Sequence, residues 1–211
     1  MKIELKNIQH SSLLSEESEA FAANLYINGI HAGYAKNRGN GGNTHYESKD
    51  DDGKKLIKEA EAYCKTLPPK NYSGTNGREG FSMDMDLEQK IDDLLYAYLR
   101  EKDLAQFNRK LERAMDKGFV YGIPDDSFQS MPLQTRPEIL LGLSDGPIKL
   151  EGIIKKHVLP KLTDGKILLN TNIAEEILIA AGLKEGQYVK PKQEQTAKTV
   201  QKKKAQPKKK P

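Results

Sequence analysis

The chain has 211 residues, 36% of them hydrophobic and 30% charged, a composition that suits one domain with a real core and leaves part of the chain outside it. A single cysteine excludes an internal disulfide and a cysteine-based zinc site. The opening MKIELKNIQH has no continuous apolar segment, and no run approaches the roughly 18 apolar residues of a membrane span. We therefore expect a cytoplasmic protein that does not enter the membrane.

The formal charge of +4 is unevenly spread. Residues 190–211 hold nine lysines and one glutamate, a net charge of +8, which leaves 25 basic and 29 acidic residues, or −4, in the remainder. The overall basicity therefore belongs to the C-terminal segment, and the body offers no net electrostatic reason to bind nucleic acid.

The N-terminal third alternates as strands do. In residues 1–8, Ile3 and Leu5 share one side of a predicted strand. In the next predicted strand, Phe21, Ala23, Leu25 and Ile27 share one face. Asn28-Gly29 tolerates the positive φ angles of a type I′ turn and so predicts a β-hairpin. Together these segments predict a three- or four-stranded antiparallel sheet that runs through about residue 46.

On the return strand of the hairpin, the prediction divides the side chains between two faces. It assigns Ile30, Ala32 and Tyr34 to the apolar face, and His31, Ala35 and Lys36 to the other.

A glycine cluster follows the hairpin. Its free backbone N–H groups could cradle an anion, and this weak candidate site comprises Arg38, Gly39, Asn40, Gly41 and Gly42. The cluster lacks a third dinucleotide-motif glycine, since Thr44 stands in that place, and it lacks the ending of a nucleotide-triphosphate loop. We therefore favour a structural loop or bulge over a ligand contact.

Helical periodicity begins at residue 54. Apolar residues at three- and four-residue steps predict an amphipathic helix over 54–66, which Pro68-Pro69 ends. Cys64 lies on the apolar stripe, which favours a small buried hydrophobe over a reactive thiol. Residues 70–80 contain three glycines and no periodicity, which predicts an exposed loop.

Two further apolar stripes follow. Asp86 and Gln89 form a capping pair ahead of the first, and the second runs from Leu104 to Met115. At 100° per residue the two stripes are rotated by well over 90°, so one straight helix cannot bury both against one surface. We therefore predict a break at 101–103, with Asp103 and Gln106 as a second capping pair and two helices folded back as a hairpin.

The remainder of the chain is mixed. Short strands are predicted at 119–123 and 166–170, only short pieces between 127 and 147, and a helix over 174–181 capped by Asn172 with Glu175. The fold class is therefore α+β, a small N-terminal antiparallel sheet with a β-hairpin followed by mainly helical packing. The domain boundaries are 1–189 for a single domain, sheet-rich over 1–47 and mainly helical over 48–189, and 190–211 for a disordered lysine-rich tail.

Acidic and histidine residues supply weak metal candidates. Asp84 and Asp86 share one face of an extended stretch and could hold Mg²⁺, although helix capping alone explains Asp86. Three adjacent aspartates from Asp50 are better explained as the N-terminal end of a helix than as a cation site. His31 and His45 could join Asp50 only if the sheet continued past the glycines, so exposed strand histidines are the better interpretation. No cofactor is indicated.

The tail carries a bipartite lysine array: Lys202, Lys203, Lys204, Lys208, Lys209 and Lys210. Such an array would meet nucleic acid or an acidic protein surface through counterion release, without base specificity. It has no aromatic residue for base stacking, and a purely solubilising extension explains it equally well.

The MKIELKN opening, the N-x-G-x-G-G segment and the later ILLNTN resemble a group of small uncharacterised proteins of bacteria and their tailed phages. The resemblance covers the first 45 residues well and implies a phage or mobile-element setting with no known activity. Members are expected to carry Asp and His in the glycine segment, where this chain has Arg38 and Asn40, so the resemblance gives no support to a catalytic loop.

Three functions are compatible with these residues. The first is a non-enzymatic binding or accessory protein whose lysine tail adds nonspecific affinity for nucleic acid or another polyanion. The second is a small metal-dependent phosphate-handling enzyme that uses the glycine segment with Asp84 and Asp86, and the third is a structural virion component. The first is favoured, and the sequence leaves the partner and the oligomeric state open.

Overall fold

The structure is a computed structural model that describes residues 1–74 and 79–191. The chain forms two compact units, Met1–Asp103 and Leu104–Pro211, and each has its own core. An N-terminal antiparallel sheet followed by helices confirms the predicted α+β class. That the two units form a single domain stays a prediction, and the predicted tail lies outside the described residues from 192 onward.

The first unit is built on a four-stranded antiparallel sheet in the order β1-β2-β3-β4. Its strands are β1 (Ile3–His10), β2 (Phe21–Ile27), β3 (Ile30–Asn37) and β4 (His45–Ser48). Asn28 and Gly29 join β2 to β3 with φ angles of 50° and 83°, the two positive values that a type I′ turn requires. The predicted hairpin is therefore confirmed.

Three of the predicted faces in β3 are wrong, since Ile30 and Tyr34 are exposed and Ala35 is buried, and a β-bulge in the strand accounts for Tyr34 and Ala35. Tyr26 pairs with His31 while Leu25 pairs with Gly33, so Ala32 is an extra residue in the ladder. One extra residue reverses the alternation that follows. Ala35 is consequently buried, whereas Tyr34 is 43% exposed on the outer face of the sheet.

Gly33 is required at this bulge by a close approach between strands. A Cβ atom on Gly33 would lie 2.0 Å from the backbone oxygen of Glu47 in β4. The bulge also supplies the Ala32 carbonyl, which accepts a hydrogen bond of 2.9 Å from the Lys49 N–H just after β4. The bulge therefore determines both the outward direction of Tyr34 and the position of β4 next to β3.

Two helices cover the inner face of the sheet. Helix α1 (Asp51–Cys64) confirms the predicted amphipathic helix, and its N-cap residue Asp50 accepts a 2.8 Å hydrogen bond from the Gly53 N–H.

After α1, β5 (Lys70–Tyr72) and β6 (Phe81–Met83) pair as a small antiparallel ladder. The prediction of an exposed loop over 70–80 is wrong for these strand residues, since the Tyr72 and Phe81 rings stack at 4.9 Å and join the two strands. Residues 75–78 lie outside the described part of the chain.

Helix α2 (Leu87–Met115) is continuous for 29 residues, so the predicted break at 101–103 and the Asp103 capping pair are wrong. The two apolar stripes do not share one surface. Leu87, Ile91 and Leu95 belong to the core of the first unit, and Leu111 and Met115 pack in the second. Each stripe therefore buries its side chains in a different core and no turn is needed. Within the described ranges, no helix combines the length and apolarity needed to cross a bilayer.

The second unit is a three-stranded sheet with short helices. Its elements are β7 (Gly118–Ile123), β8 (Ser127–Pro132), β9 (Ile167–Leu168), α3 (Pro137–Leu141), α4 (Gly146–Ile153) and α5 (Glu175–Ala180), with a π-helical turn (Ile154–Val158) and a 3-10 turn (Leu159–Lys161) after α4. The strand order is β8-β7-β9. Strand β8 was not predicted, because its apolar residues do not alternate.

A buried asparagine organises this sheet. Asn170 is fully buried, its Oδ1 accepts a 2.7 Å hydrogen bond from the Val120 N–H, and its Nδ2 donates at 3.0 Å both to the Gly118 carbonyl and to Asn172 Oδ1. Asn172 in turn donates from Nδ2 to the Met115 carbonyl. The prediction that Asn172 caps α5 is therefore wrong, since the N-cap position is Ala174 and no side chain bonds there.

Candidate functional site

Three exposed or half-buried rings form a cluster on the outer face of the first sheet. The Tyr26 ring on β2 stacks on His31 at a centroid distance of 5.1 Å, and Tyr34 and His31 meet in a T-shaped contact at the same distance. His31 Nε2 lies 3.0 Å from the Gly33 carbonyl, and because a carbonyl oxygen can only accept, this nitrogen donates. The bond fixes the imidazole between the two tyrosines. We refer to Tyr26, His31 and Tyr34 as the ring cluster.

Positive charge surrounds the ring cluster. The strands of this sheet carry two carboxylates, and both are paired: Glu4 with Lys2 at 2.9 Å and Glu47 with Lys36 at 3.2 Å. The Lys2 ammonium, with a smaller contribution from Lys6, lowers the pKa of the Glu4 carboxyl. Each carboxylate therefore already has a lysine partner on the same face.

Two nearby cations, Lys6 on β1 and Arg38 just after β3, have no carboxylate partner within the described ranges. The Lys6 ammonium lies 4.2 Å from the centre of the Tyr26 ring, a cation–π contact, and Arg38 is exposed just after β3. Within residues 1–74 and 79–191, neither side chain has a carboxylate within 4 Å. One such cation, Lys6, therefore lies beside the aromatic rings, and the other, Arg38, lies at the groove by the start of β2.

An open groove of about 510 Å³ lies at the far end of β2 from the ring cluster. Its lining residues are Gln9, His10, Ser11, Leu14, Ala20, Phe21, Ala22, Asn37 and Arg38. His10 is held there by Glu19, with 2.6 Å between Nε2 and Oε2. The groove therefore offers apolar walls together with amide, imidazole and guanidinium groups.

The glycine segment is held by hydrogen bonds to the loop that precedes β2. The Gly39 carbonyl accepts from the N–H groups of residues 16, 17 and 18, at 2.9, 2.9 and 3.2 Å. The Gly39 N–H donates to Asn37 Oδ1, and the Gly41 N–H donates to Ser18 Oγ. These bonds give the segment a structural role and use two of the N–H groups that an anion would need. A ligand contact by Arg38, Asn40 or Gly42 stays a prediction.

The glycines are needed because this loop approaches so closely. Gly39 has a φ of 90°, and a Cβ atom there would lie 2.0 Å from the Leu14 carbonyl oxygen. Gly41 has a φ of 81°, and its Cβ would lie 2.4 Å from Glu17 Oε2. Positive φ favours glycine at both positions, and at Gly39 the Leu14 backbone oxygen also leaves no space for a side chain, whereas the Glu17 side chain near Gly41 could move aside.

Thr44 anchors the end of the glycine segment to α2. Its N–H donates to Glu88 Oε1 at 2.9 Å, and its hydroxyl donates to Asp92 Oδ1 at 2.7 Å. Burial raises the pKa of the Asp92 carboxyl, the Thr44 hydrogen bond opposes that rise, and the nearby Glu88 carboxylate adds to it. The sequence gives Thr44 no special role, since its acceptors lie more than 40 residues away.

The predicted metal candidates do not form a cluster. Asp84 and Asp86 are exposed on either side of the buried Met85, and Asp86 Oδ1 accepts a 2.8 Å hydrogen bond from the Gln89 N–H, which confirms its capping role. His45 pairs with Lys36, five residues along β3 from His31, a separation of roughly 16 Å. Within the described ranges, no three acidic, histidine or cysteine side chains come close enough together to hold a metal ion.

Cys64 is fully buried at the end of α1, as predicted, and burial raises the pKa of its thiol. A protonated thiol within a core is a poor nucleophile. The lysine array of the tail, from Lys202 to Lys210, lies outside the described residues.

Comparison of the chain with known proteins found no matching family model, no matching curated protein and no matching solved structure.

Proposed function

We propose that the protein is a non-enzymatic accessory protein that binds nucleic acid through its lysine array, without base specificity. The observation that supports this function best is the partition of charge, with +8 in residues 190–211 against −4 in the remainder. A segment of this charge binds phosphates by releasing their counterions. A phage or mobile-element setting in the cytoplasm, where polyanions are abundant, belongs to the same proposal.

The charge partition sets the salt dependence of binding. If the six clustered lysines contact phosphates, log K falls against log salt with a slope of about −5 on duplex DNA and about −4 on a single strand. The acidic body contributes no comparable attraction. Binding should therefore weaken by orders of magnitude between about 50 and 200 mM salt.

The test replaces the six clustered lysines with glutamine in the full chain, so that the body is left unchanged. The substituted residues are Lys202, Lys203, Lys204, Lys208, Lys209 and Lys210. Fluorescence anisotropy with labelled duplex and single-stranded DNA, over the same salt range, should show that the steep salt slope is lost on both. Circular dichroism checks that the fold is unchanged.

A matched control replaces six exposed lysines of the body with glutamine: Lys54, Lys58, Lys65, Lys155, Lys156 and Lys184. This variant removes the same charge but should keep the steep salt slope. Equal losses in both variants, or undiminished binding by the tail variant, would contradict the proposal.

A further inference from the structure

The outer face of the first sheet combines an exposed aromatic ring with a neighbouring cation, and we propose that it binds single-stranded nucleic acid by stacking a base on Tyr34. This inference rests on the proposed function and extends it, because the lysine array contains no ring and cannot distinguish a single strand from a duplex. The sheet face would supply that preference.

Tyr34 is the ring available for stacking. It is 43% exposed, and it pairs with Asn24, two residues from Tyr26 along β2, so the two tyrosines are diagonal neighbours with side chains about 7–8 Å apart. Tyr26 is half-buried, with the His31 ring stacked on it at 5.1 Å and the Lys6 ammonium 4.2 Å from its centre. His31 contacts both tyrosines and therefore helps to hold the Tyr34 ring in place.

The exposure of Tyr34 is a consequence of the bulge in β3. Tyr34 is exposed only because the bulge at Ala32 and Gly33 reverses the strand, and it would otherwise face the core. Bulges commonly direct a side chain toward a functional surface. An exposed ring such as Tyr34 accepts any base, which gives binding that tolerates sequence.

The charge of the face suits a phosphate backbone. Glu4 and Glu47 are already paired with lysines, which leaves Lys6 beside the Tyr26 ring and Arg38 at the groove as cations available to phosphates. Arg38 and Gln9 also bring donors to the groove at the start of β2. A strand that runs from Tyr34 toward the groove would therefore meet Lys6 beside the rings and Arg38 at the groove.

A duplex cannot use this surface, because its base faces are stacked on one another and its backbone would meet only the two unpaired cations. An acidic protein could use Lys6 and Arg38 but would gain nothing from base stacking. These alternatives differ in which substitutions would weaken binding.

The experiment uses the full chain with the six tail lysines already changed to glutamine, so that only the body can bind. Labelled oligo(dT), oligo(U) and a duplex are titrated by anisotropy against this background and against Tyr34→Val, which keeps a good strand residue but removes the ring. Stacking of one base is expected to be lost, which weakens single-strand affinity between about 5-fold and about 150-fold. Duplex binding should not change.

Three further variants separate stacking from other causes. Tyr34→Phe keeps the ring and should bind like the background. Tyr98→Val removes an exposed tyrosine from α2, outside the ring cluster, and should also have no effect. Arg38→Gln lies outside every strand, so it tests the proposal even if Tyr34→Val does not fold, and it should reduce the salt slope on a single strand by about 0.7.

The outcomes distinguish this inference from the proposed function. If the tail-substituted background binds no single strand, or if Tyr34→Val and Arg38→Gln leave its binding unchanged, the sheet face is not a binding surface, while the lysine array can still be the binding element. An equal loss with Tyr34→Phe would show that the hydroxyl, rather than the ring, is responsible, and would overturn the stacking proposal. If even the unsubstituted chain binds neither oligonucleotide nor duplex, both proposals fail.

Discussion

Replacement of Gly33 by alanine tests the bulge on which the outer face depends. A Cβ atom at this position would lie 2.0 Å from the Glu47 carbonyl oxygen, whereas such contacts below 3.0 Å are essentially never seen. Strand β4 would have to retreat by at least about 1 Å, because the neighbouring atom belongs to the backbone and cannot rotate away. The retreat would disturb the pairing of Gly33 with Ser48 and the Lys49 hydrogen bond to Ala32.

The cost can be worked from these contacts. Overpacking costs typically 1–3 kcal/mol, and a weakened hydrogen bond adds about 1 kcal/mol, so Gly33→Ala should lower the free energy of unfolding by about 2–4 kcal/mol. For a unit of this size that lowers Tm by roughly 8–30 °C. The measurement is thermal and urea unfolding followed by circular dichroism.

Gly152 provides the matched control. It lies within α4, and a Cβ atom there would meet nothing within 4 Å, so Gly152→Ala should stabilise its helix by about 0.5–1 kcal/mol. The two substitutions add the same methyl group and should have opposite signs. A Gly33→Ala variant within about 0.5 kcal/mol of the parent would refute the argument, since this is the range of changes at unconstrained sites.

Two further predictions concern buried polar groups. Asn170→Leu roughly keeps the side-chain volume but leaves the Val120 N–H and the Gly118 carbonyl without their partner. Urea unfolding should therefore show that the free energy of unfolding falls by about 2–4 kcal/mol. Full retention of stability would mean that the amide is dispensable. Because the pKa of Asp92 is raised by folding, the protonated form is favoured in the folded state, and its contribution to stability is present at acid pH and lost as pH rises through the folded-state value. Asp92→Asn should therefore stabilise the protein at neutral pH, by an amount that shrinks toward pH 4 in parallel melts of the two proteins; a difference independent of pH would contradict this.

The sequence predicts the features of the fold that local chemistry determines. The Asn28-Gly29 turn, the amphipathic α1 and the cap at Asp86 all depend on residues within a few positions of one another. The break predicted within α2 is wrong because the two apolar stripes are not buried against one surface. They pack instead in separate cores. Only the tertiary arrangement supplies the second core.

The candidate site could be predicted only in part. Alternation placed Tyr34 in the core, and a single extra residue at Ala32 reversed that assignment. The sequence did contain a signal, because an isolated glycine inside a strand pattern, here Gly33, often marks a bulge. The partners of the glycine segment and of Asn170 lie about 20 and 50 residues away, which no local pattern reveals.

The bulge in β3 also has an evolutionary consequence. Which surface a strand residue serves depends on whether the count of residues before it is odd or even, so one insertion or deletion can move a tyrosine between the interior and the exterior without altering its identity. Two descendants of a common ancestor could therefore share nearly every residue of this hairpin and still differ in whether they present an aromatic surface.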